Sequence, residues 1–206
     1  MVTVYYFLKK DGAAADVPPT ALKLIPDDEL KLILGKTKTE TRADTLVGRI
    51  LLRYILQDRF GISPHDTVTD ISENGKPYLR NHRGICFSIS HTKNCVACAV
   101  GDAPLGIDIE AICSRDYSRV ADRMFTDDEK TVAVRSTEDF LRIWTMKESF
   151  AKMLGEGIFG TSRKFDVLSG HGTDGAVFVP LEIPGTAAYL CMTVADEVSQ
   201  TEISEL

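Results

Sequence analysis

Apolar and polar positions change period several times along the chain, and each change marks an element. Residues 2–8, VTVYYFL, read as a strand, and a loop holding Pro18 and Pro19 follows. A short helix is expected from near Asp27. Over 41–61, Leu46, Val47, Ile50, Leu51, Tyr54 and Ile55 recur at helical spacing, and Gly61 is a natural stop. Strand patterns take over at NGKPYL (74–79), which opens on a turn dipeptide, and at GICFSISH (84–91) and CVACAV (95–100). The last two flank Thr92, Lys93 and Asn94 as a hairpin. A similar order then recurs. Strand LGIDIE (105–110) precedes a helix near 115–124, a capping box from Thr126 to Glu129 and a longer helix from about Asp139 to Leu154. KFDVLS (164–169), AVFVPLEI (176–183) and AAYLCMTVA (187–195) are strand candidates that close the chain. Strand, helices and a run of strands therefore occur twice, in an N-terminal half (1–103) and a C-terminal half (104–206), without a residue-level repeat. The class is α+β with mostly antiparallel sheet.

Composition narrows the function classes. The 206 residues are 44% hydrophobic and 26% charged, which suits a soluble globular protein with a substantial core. No apolar run approaches the roughly 20 residues of a membrane span. The N-terminal MVTVYYFLKKDG lacks the basic start and small-residue cleavage site of a signal peptide, so a cytoplasmic protein is expected. A formal net charge of −6 argues against general nucleic-acid binding, and an anionic ligand would need a local cluster of Lys and Arg or a metal. Five cysteines, an odd number, suit a reducing compartment. Cys95 and Cys98 form a lone CxxC inside a strand pattern and are expected to be structural.

The stretch PLGIDIEAI (104–112) sets two acids into an apolar run. Alternation along a strand sends Ile107 and Ile109 into a core and Asp108 and Glu110 together to the other face. Two carboxylates on one face repel unless a cation or water intervenes, so the choice lies between a solvated edge strand and a cation site. The helix DFLRIWTMKESFAKMLGEG (139–157) offers a partner. Ile143, Met146, Phe150 and Met153 form its core stripe, while Trp144, Glu148 and Lys152 fall on a neighbouring one. Taken alone, Glu148 and Lys152 would be a surface pair worth ~0.3–0.5 kcal/mol, with Trp144 packed beside it. Lys147 faces elsewhere and is expected to be an outward salt-bridge partner without a catalytic role.

GIDIE at 106–110 followed by WTMKESFAK at 144–152 resembles the paired signature of the 4'-phosphopantetheinyl transferases, specifically their larger, surfactin-type branch. The pattern G-[IV]-D-[IV]-E, then W-x-x-K-E-[AS]-x-x-K, is matched at every fixed position. Upstream, GKPYL and FSISH resemble the family's G-K-P and [FN]-x-S-x-S-H, and RMFTDDE (123–129) resembles R-x-F-x-x-x-E. The likeness covers nearly the whole chain.

The resemblance implies two similar α+β halves packed as an intramolecular pseudo-dimer, with the active site in the cleft between them and a monomer in solution. It implies transfer of the phosphopantetheine arm of coenzyme A to a serine of an apo acyl or peptidyl carrier protein, with release of adenosine 3',5'-bisphosphate. Asp108, Glu110 and Glu148 would hold Mg²⁺, with Mn²⁺ as an alternative. Glu148 would be the general base and Lys152 would neutralise charge on the pyrophosphate. Lys76, Ser90, His91 and Lys152 are the implied coenzyme A contacts. Neither membrane nor nucleic acid is an expected partner.

One departure stands out. The surfactin-type members carry a basic cluster leading into the first long helix, with an arginine where this chain has Asp44. Lys36, Lys38 and Arg42 are nearby substitutes, and Arg49 and Arg53 continue a basic stripe along the helix. Recognition of the 3'-phosphate is therefore expected to be rerouted through these residues or weak. Two other functions fit the same residues: a non-catalytic module that holds coenzyme A or a carrier, and a metal-dependent hydrolase of coenzyme A.

Overall fold

Two antiparallel hairpin systems organise the chain, as seen in a computed structural model that describes residues 1–9, 17–36, 38–161, 165–169, 175–195 and 201–206. Strands β4 (Cys86–Thr92) and β5 (Cys95–Gly101) are joined by a tight turn, and β5 pairs antiparallel with β1 (Val2–Leu8). β9 (Thr201–Glu205) adds to β1 in parallel, giving the order β4-β5-β1-β9. The second sheet has the order β6-β8-β7, all antiparallel, from β6 (Leu105–Ala111), β7 (Ala176–Leu181) and β8 (Ala188–Ala195). A small hairpin of β2 (Thr69–Ile71) and β3 (Pro77–Leu79) turns at Gly75, whose φ of 85° suits glycine. The α+β class with mostly antiparallel sheet is thus observed.

Strand alternation distributes the core. Val2, Val4 and Tyr6 of β1 join Ala97 and Ala99 of β5, and Ile107, Ile109, Leu190 and Met192 of the second sheet, in one shared cluster between the sheets. The opposite face of the first sheet, with Tyr5, Val96, Cys98 and Val100, is covered by α3 (Thr39–Phe60) through Val47, Leu51, Leu52 and Ile55. Gly61 stops that helix in the left-handed region, as its position predicts. Ile33 of α2 (Asp27–Leu34), and Ile25 in the link that joins it to the short α1 (Pro19–Leu22), pack against Leu46 and Ile50 of α3. Cys95 and Cys98 are both free and buried on β5, which fits their structural reading.

The other face of the second sheet is covered by α4 (Ser118–Met124), α5 (Asp127–Ala133), α6 (Thr137–Leu154) and α7 (Ile158–Thr161). The approach of α6 to β6 is limited by backbone, not side chains. A Cβ at Gly106 would lie 2.0 Å from the Ser149 carbonyl oxygen and 2.5 Å from the Met153 nitrogen. Only glycine lets the helix rest there.

Two expectations are corrected. Phe165–Ser169, the described part of KFDVLS, form bends and a turn in place of a strand, and β9 at 201–205 is a strand the pattern did not show. Lys147 is a salt-bridge partner, but inward: its Nζ meets Glu129 Oε2 at 2.9 Å with both side chains fully buried. Glu129 also accepts from Thr126 N–H at 2.8 Å, completing the predicted capping box, and from Val167 N–H at 2.9 Å. Lys147 further donates to the Phe165 carbonyl at 3.0 Å. Burial lowers the Lys147 pKa, so the charged form depends on this set of partners. The glutamate of RMFTDDE and the lysine of WTMKE are therefore two ends of one internal bridge. Lys147→Met strands the Glu129 carboxylate, and urea denaturation is expected to show a loss of roughly 3–5 kcal/mol; a loss below about 1 kcal/mol would show that the bridge contributes little.

Candidate active site

The glycine contact places the acids. Because Gly106 faces α6, Asp108 and Glu110 on the same side of β6 face it too. Asp108 is 5% exposed. Its Oδ1 accepts from Lys152 Nζ at 2.6 Å and from Ser90 Oγ at 2.9 Å. Its Oδ2 is buried without a hydrogen-bond partner among the described residues. Glu110 is half-buried, and its Oε1 accepts from the Trp144 indole N–H at 3.2 Å.

Electrostatics tie the third acid to these two. Burial, and next the Asp108 charge, push the Glu148 carboxyl up to about 7, with Glu110 adding to the effect and Lys152 opposing it. Burial and Asp108 likewise raise Glu110, against the indole hydrogen bond. Glu148 and Lys152 line a cavity of about 270 Å³ whose opposite wall includes Lys76, Phe87, Ser88 and Ile89. The cavity thus lies between the two halves of the chain.

Among the described residues no three His, Cys, Asp or Glu side chains form a ready-made metal site. The donor chemistry nevertheless suits a hard divalent cation: the Asp108 charge raises the proton affinity of Glu110 and of Glu148, Glu110 adds to the effect at Glu148, and Asp108 Oδ2 is left without a partner among the described residues. Lys152 supplies positive charge at Asp108 in this arrangement.

The implied coenzyme A contacts divide in two. Lys152 reaches Ser90 as well as Asp108, at 2.9 Å. Lys76 lines the cavity, but its ammonium donates to the Met153 carbonyl at 2.5 Å and the Leu105 carbonyl at 3.4 Å, closing the C-terminal end of α6; burial lowers its pKa. His91, its side chain 56% exposed, stands apart from the acids, with Nδ1 3.3 Å from Asp44 Oδ2.

Asp44 itself is buried against Lys9, Nζ to Oδ1 2.5 Å. Its negative charge is held by this lysine at the end of β1 and by His91, a pairing that no spacing along the chain reveals. Trp144 is the other contributor the residue pattern left as packing; its place on the Glu148 stripe was the available signal. Of the basic residues near Asp44, Lys36 donates to Thr45 Oγ1 at 3.0 Å, and Arg42 donates to the Leu34 carbonyl at 3.4 Å and Thr39 Oγ1 at 3.2 Å. Lys38 is exposed just before α3. Arg53 is not on a surface stripe: it is 1% exposed, bound to Glu29 and the Thr67 carbonyl, with Nη1 lacking a partner among the described residues. Arg49, bonded to Thr69 Oγ1 at 3.0 Å, joins Lys36, Thr45 and Arg53 around a second cavity of about 510 Å³.

Residues 104–196 match the family described as the 4'-phosphopantetheinyl transferase superfamily, and residues 17–102 match the 4'-phosphopantetheinyl transferase N-terminal family. A 4'-phosphopantetheinyl transferase psf-1 of Bacillus pumilus is 37% identical over 119 residues, covering 55% of this chain and 51% of the relative. The HetI transferase of Nostoc sp. is 35% identical over 130 residues, 58% of this chain and 54% of the relative. A pptA transferase of Paxillus involutus is 26% identical over 186 residues, 75% of this chain and 70% of the relative. The chain spans about half the length of curated bacterial relatives such as these two. With both halves matched by descriptions of one enzyme group, and the acids of the second half gathered at the cleft, the chain belongs to the 4'-phosphopantetheinyl transferase superfamily.

Proposed function

We propose that this protein transfers the 4'-phosphopantetheine group of coenzyme A to a serine of an apo acyl or peptidyl carrier protein, with Mg²⁺ as cofactor. The observation that carries the reading is the gathering of Asp108, Glu110, Glu148 and Lys152 beside a cleft, with Asp108 Oδ2 buried and without a hydrogen-bond partner among the described residues. In this reading the halves 1–103 and 104–206 work as an intramolecular pseudo-dimer, acting as a monomer in the cytoplasm. The match to relatives named as these transferases supports it.

In the proposed reaction the carrier serine oxygen bonds to the β-phosphorus of coenzyme A. The bond from that phosphorus to the bridging oxygen breaks, and adenosine 3',5'-bisphosphate leaves with the electron pair. Glu148, which lines the cleft with Lys152, takes the serine proton directly or through water. Lys152 presents its ammonium to the pyrophosphate. Asp108, Glu110 and Glu148 would hold the metal, which supplies charge neutralisation on phosphoryl oxygens. His91 and the cavity wall around Lys76 meet the nucleotide end. The 3'-phosphate is received through Lys36 and the neighbouring Arg42 and Lys38, because Asp44, an acid paired with Lys9, offers no cation at its position.

Incubation with apo carrier, coenzyme A and Mg²⁺, read by intact mass, is expected to show carrier gaining one phosphopantetheine, with Glu148→Gln slower by about 10²–10⁴-fold. Unmodified carrier with intact coenzyme A would instead indicate a binding module, and cleaved coenzyme A with unmodified carrier a hydrolase. Specificity for the 3'-phosphate is expected to be modest, under about tenfold in kcat/KM against 3'-dephospho coenzyme A (about 1.4 kcal/mol), and smaller again in Lys36→Ala. A large preference that survives alanine at Lys36, Lys38 and Arg42 contradicts this route.

A pH prediction follows from Glu148. Its folded value, about 7, stands above the ordinary 4.5, so the folded state prefers the protonated form. That contribution is complete below the ordinary value and disappears as pH rises through about 7. In metal-free protein, Glu148→Gln should therefore raise the melting temperature at pH 8 by more than at pH 5. Melts in chelator at the two pH values check this; a gain that is equal, or greater in acid, counts against it.

A further inference from the structure

β6 is an edge strand: β8 pairs with one side of it only. On such an edge alternate N–H groups point outward and need acceptors. Those of Ile107, Ile109 and Ala111 find Ser88 Oγ at 3.1 Å, Ser90 Oγ at 3.3 Å and Thr92 Oγ1 at 3.0 Å. The three hydroxyls are alternate residues of β4, itself the edge of the first sheet. Side-chain oxygens thus stand where a backbone ladder would otherwise run. The middle rung has a second attachment. Ser90 Oγ accepts from Ile109 N–H and from Lys152 Nζ at 2.9 Å, and donates to Asp108 Oδ1 at 2.9 Å. One donor and two acceptors are all a hydroxyl has.

Resting on the transferase reading above, we propose that Ser90 is a positioning residue: as the central rung of a β4–β6 hydroxyl ladder it holds Asp108 Oδ1 and Lys152, leaving Oδ2 available to a cation, and it does not serve primarily as a coenzyme A contact. With its hydrogen-bonding capacity filled inside the protein, Ser90 transmits the register of the first half to the acid of the second. Thr92 occupies an equivalent rung but touches neither Asp108 nor Lys152 in the hydrogen bonds described, so it separates the ladder's structural role from its role at the acid.

The test compares Ser90→Ala, Ser90→Thr and Thr92→Ala by thermal melting, by Mg²⁺ titration read as a rise in melting temperature, and by KM for coenzyme A. Ser90→Ala and Thr92→Ala are each expected to lower the metal-free melting temperature by about 2–4 °C. Half-saturation by Mg²⁺ should rise about 10–100-fold in Ser90→Ala, stay at the wild-type value in Thr92→Ala, and return towards it in Ser90→Thr. KM for coenzyme A should change less than about twofold in Ser90→Ala while kcat falls. The proposal is overturned if Ser90→Ala melts like the wild type, or if it raises KM for coenzyme A tenfold with the Mg²⁺ response unmoved. A wild type that modifies no carrier would end the transferase reading, yet the melting and Mg²⁺ measurements would still decide the role of Ser90.

Discussion

The site depends on one steric fact, the contact of α6 with β6 at Gly106. A Cβ there would come within 2.0 Å of a backbone carbonyl, and backbone cannot turn aside as a flexible side chain can. With hydrogen in that place, the helix settles directly on the strand. The next two residues on the same strand face, Asp108 and Glu110, then point at the helix, and the residues around Ser149 and Met153 point back at them. Glu148 and Lys152 are those residues. The glycine, the two acids and the helical Glu and Lys are therefore one arrangement, with the contact point at its centre.

A second constraint comes from hydrogen bonding. Open edges of β-sheet carry unpaired N–H groups that proteins must cover. Here one edge is covered by hydroxyls from another, so the two sheets meet without continuing into each other. The apolar cluster between the sheets supplies adhesion but little directional information. The hydroxyl rungs supply direction, since a shift by one residue would turn Ser88, Ser90 and Thr92 away from β6. This gives FSISH a local physical reason: Phe87 and Ile89 face α3, while the intervening polar residues face the neighbouring strand.

Much of this was legible in the residues. Short apolar runs marked β1, β5 and β8, which bury residues on both faces, alternation marked β4 and β6, and the 3.6-residue period marked α3 and α6. The split of Ile107 and Ile109 from Asp108 and Glu110 follows from alternation alone. What alternation cannot report is which distant element meets a face. The inward turn of Lys147 was missed because a lysine is ordinarily solvated, and nothing along the chain places Glu129, from another helix, beside it. Asp44 looked like a lost phosphate ligand for the same reason: its partner Lys9 lies 35 residues away, just beyond β1. β9 was missed because its exposed residues carry little apolar pattern; β1 supplies the pairing. The stretch after α7 read as a strand from its apolar composition, yet Phe165 and Val167 serve the helical cluster and the Glu129 bridge.

Adjacent positions on α6 show how frame and chemistry share one helix. Lys147 and Glu148 are neighbours in the chain, but an α-helix turns about 100° per residue, so they face different surroundings. Lys147 is drawn inward to Glu129 and the Phe165 carbonyl, contacts that resist rotation of the helix about its axis. With that rotation restricted, Glu148 is held at the cleft although burial and Asp108 both disfavour its charge. A carboxylate free to turn towards water would relieve that cost and lose its raised proton affinity. The buried bridge opposes that escape, and the acid beside it keeps its place at the cleft and its raised proton affinity.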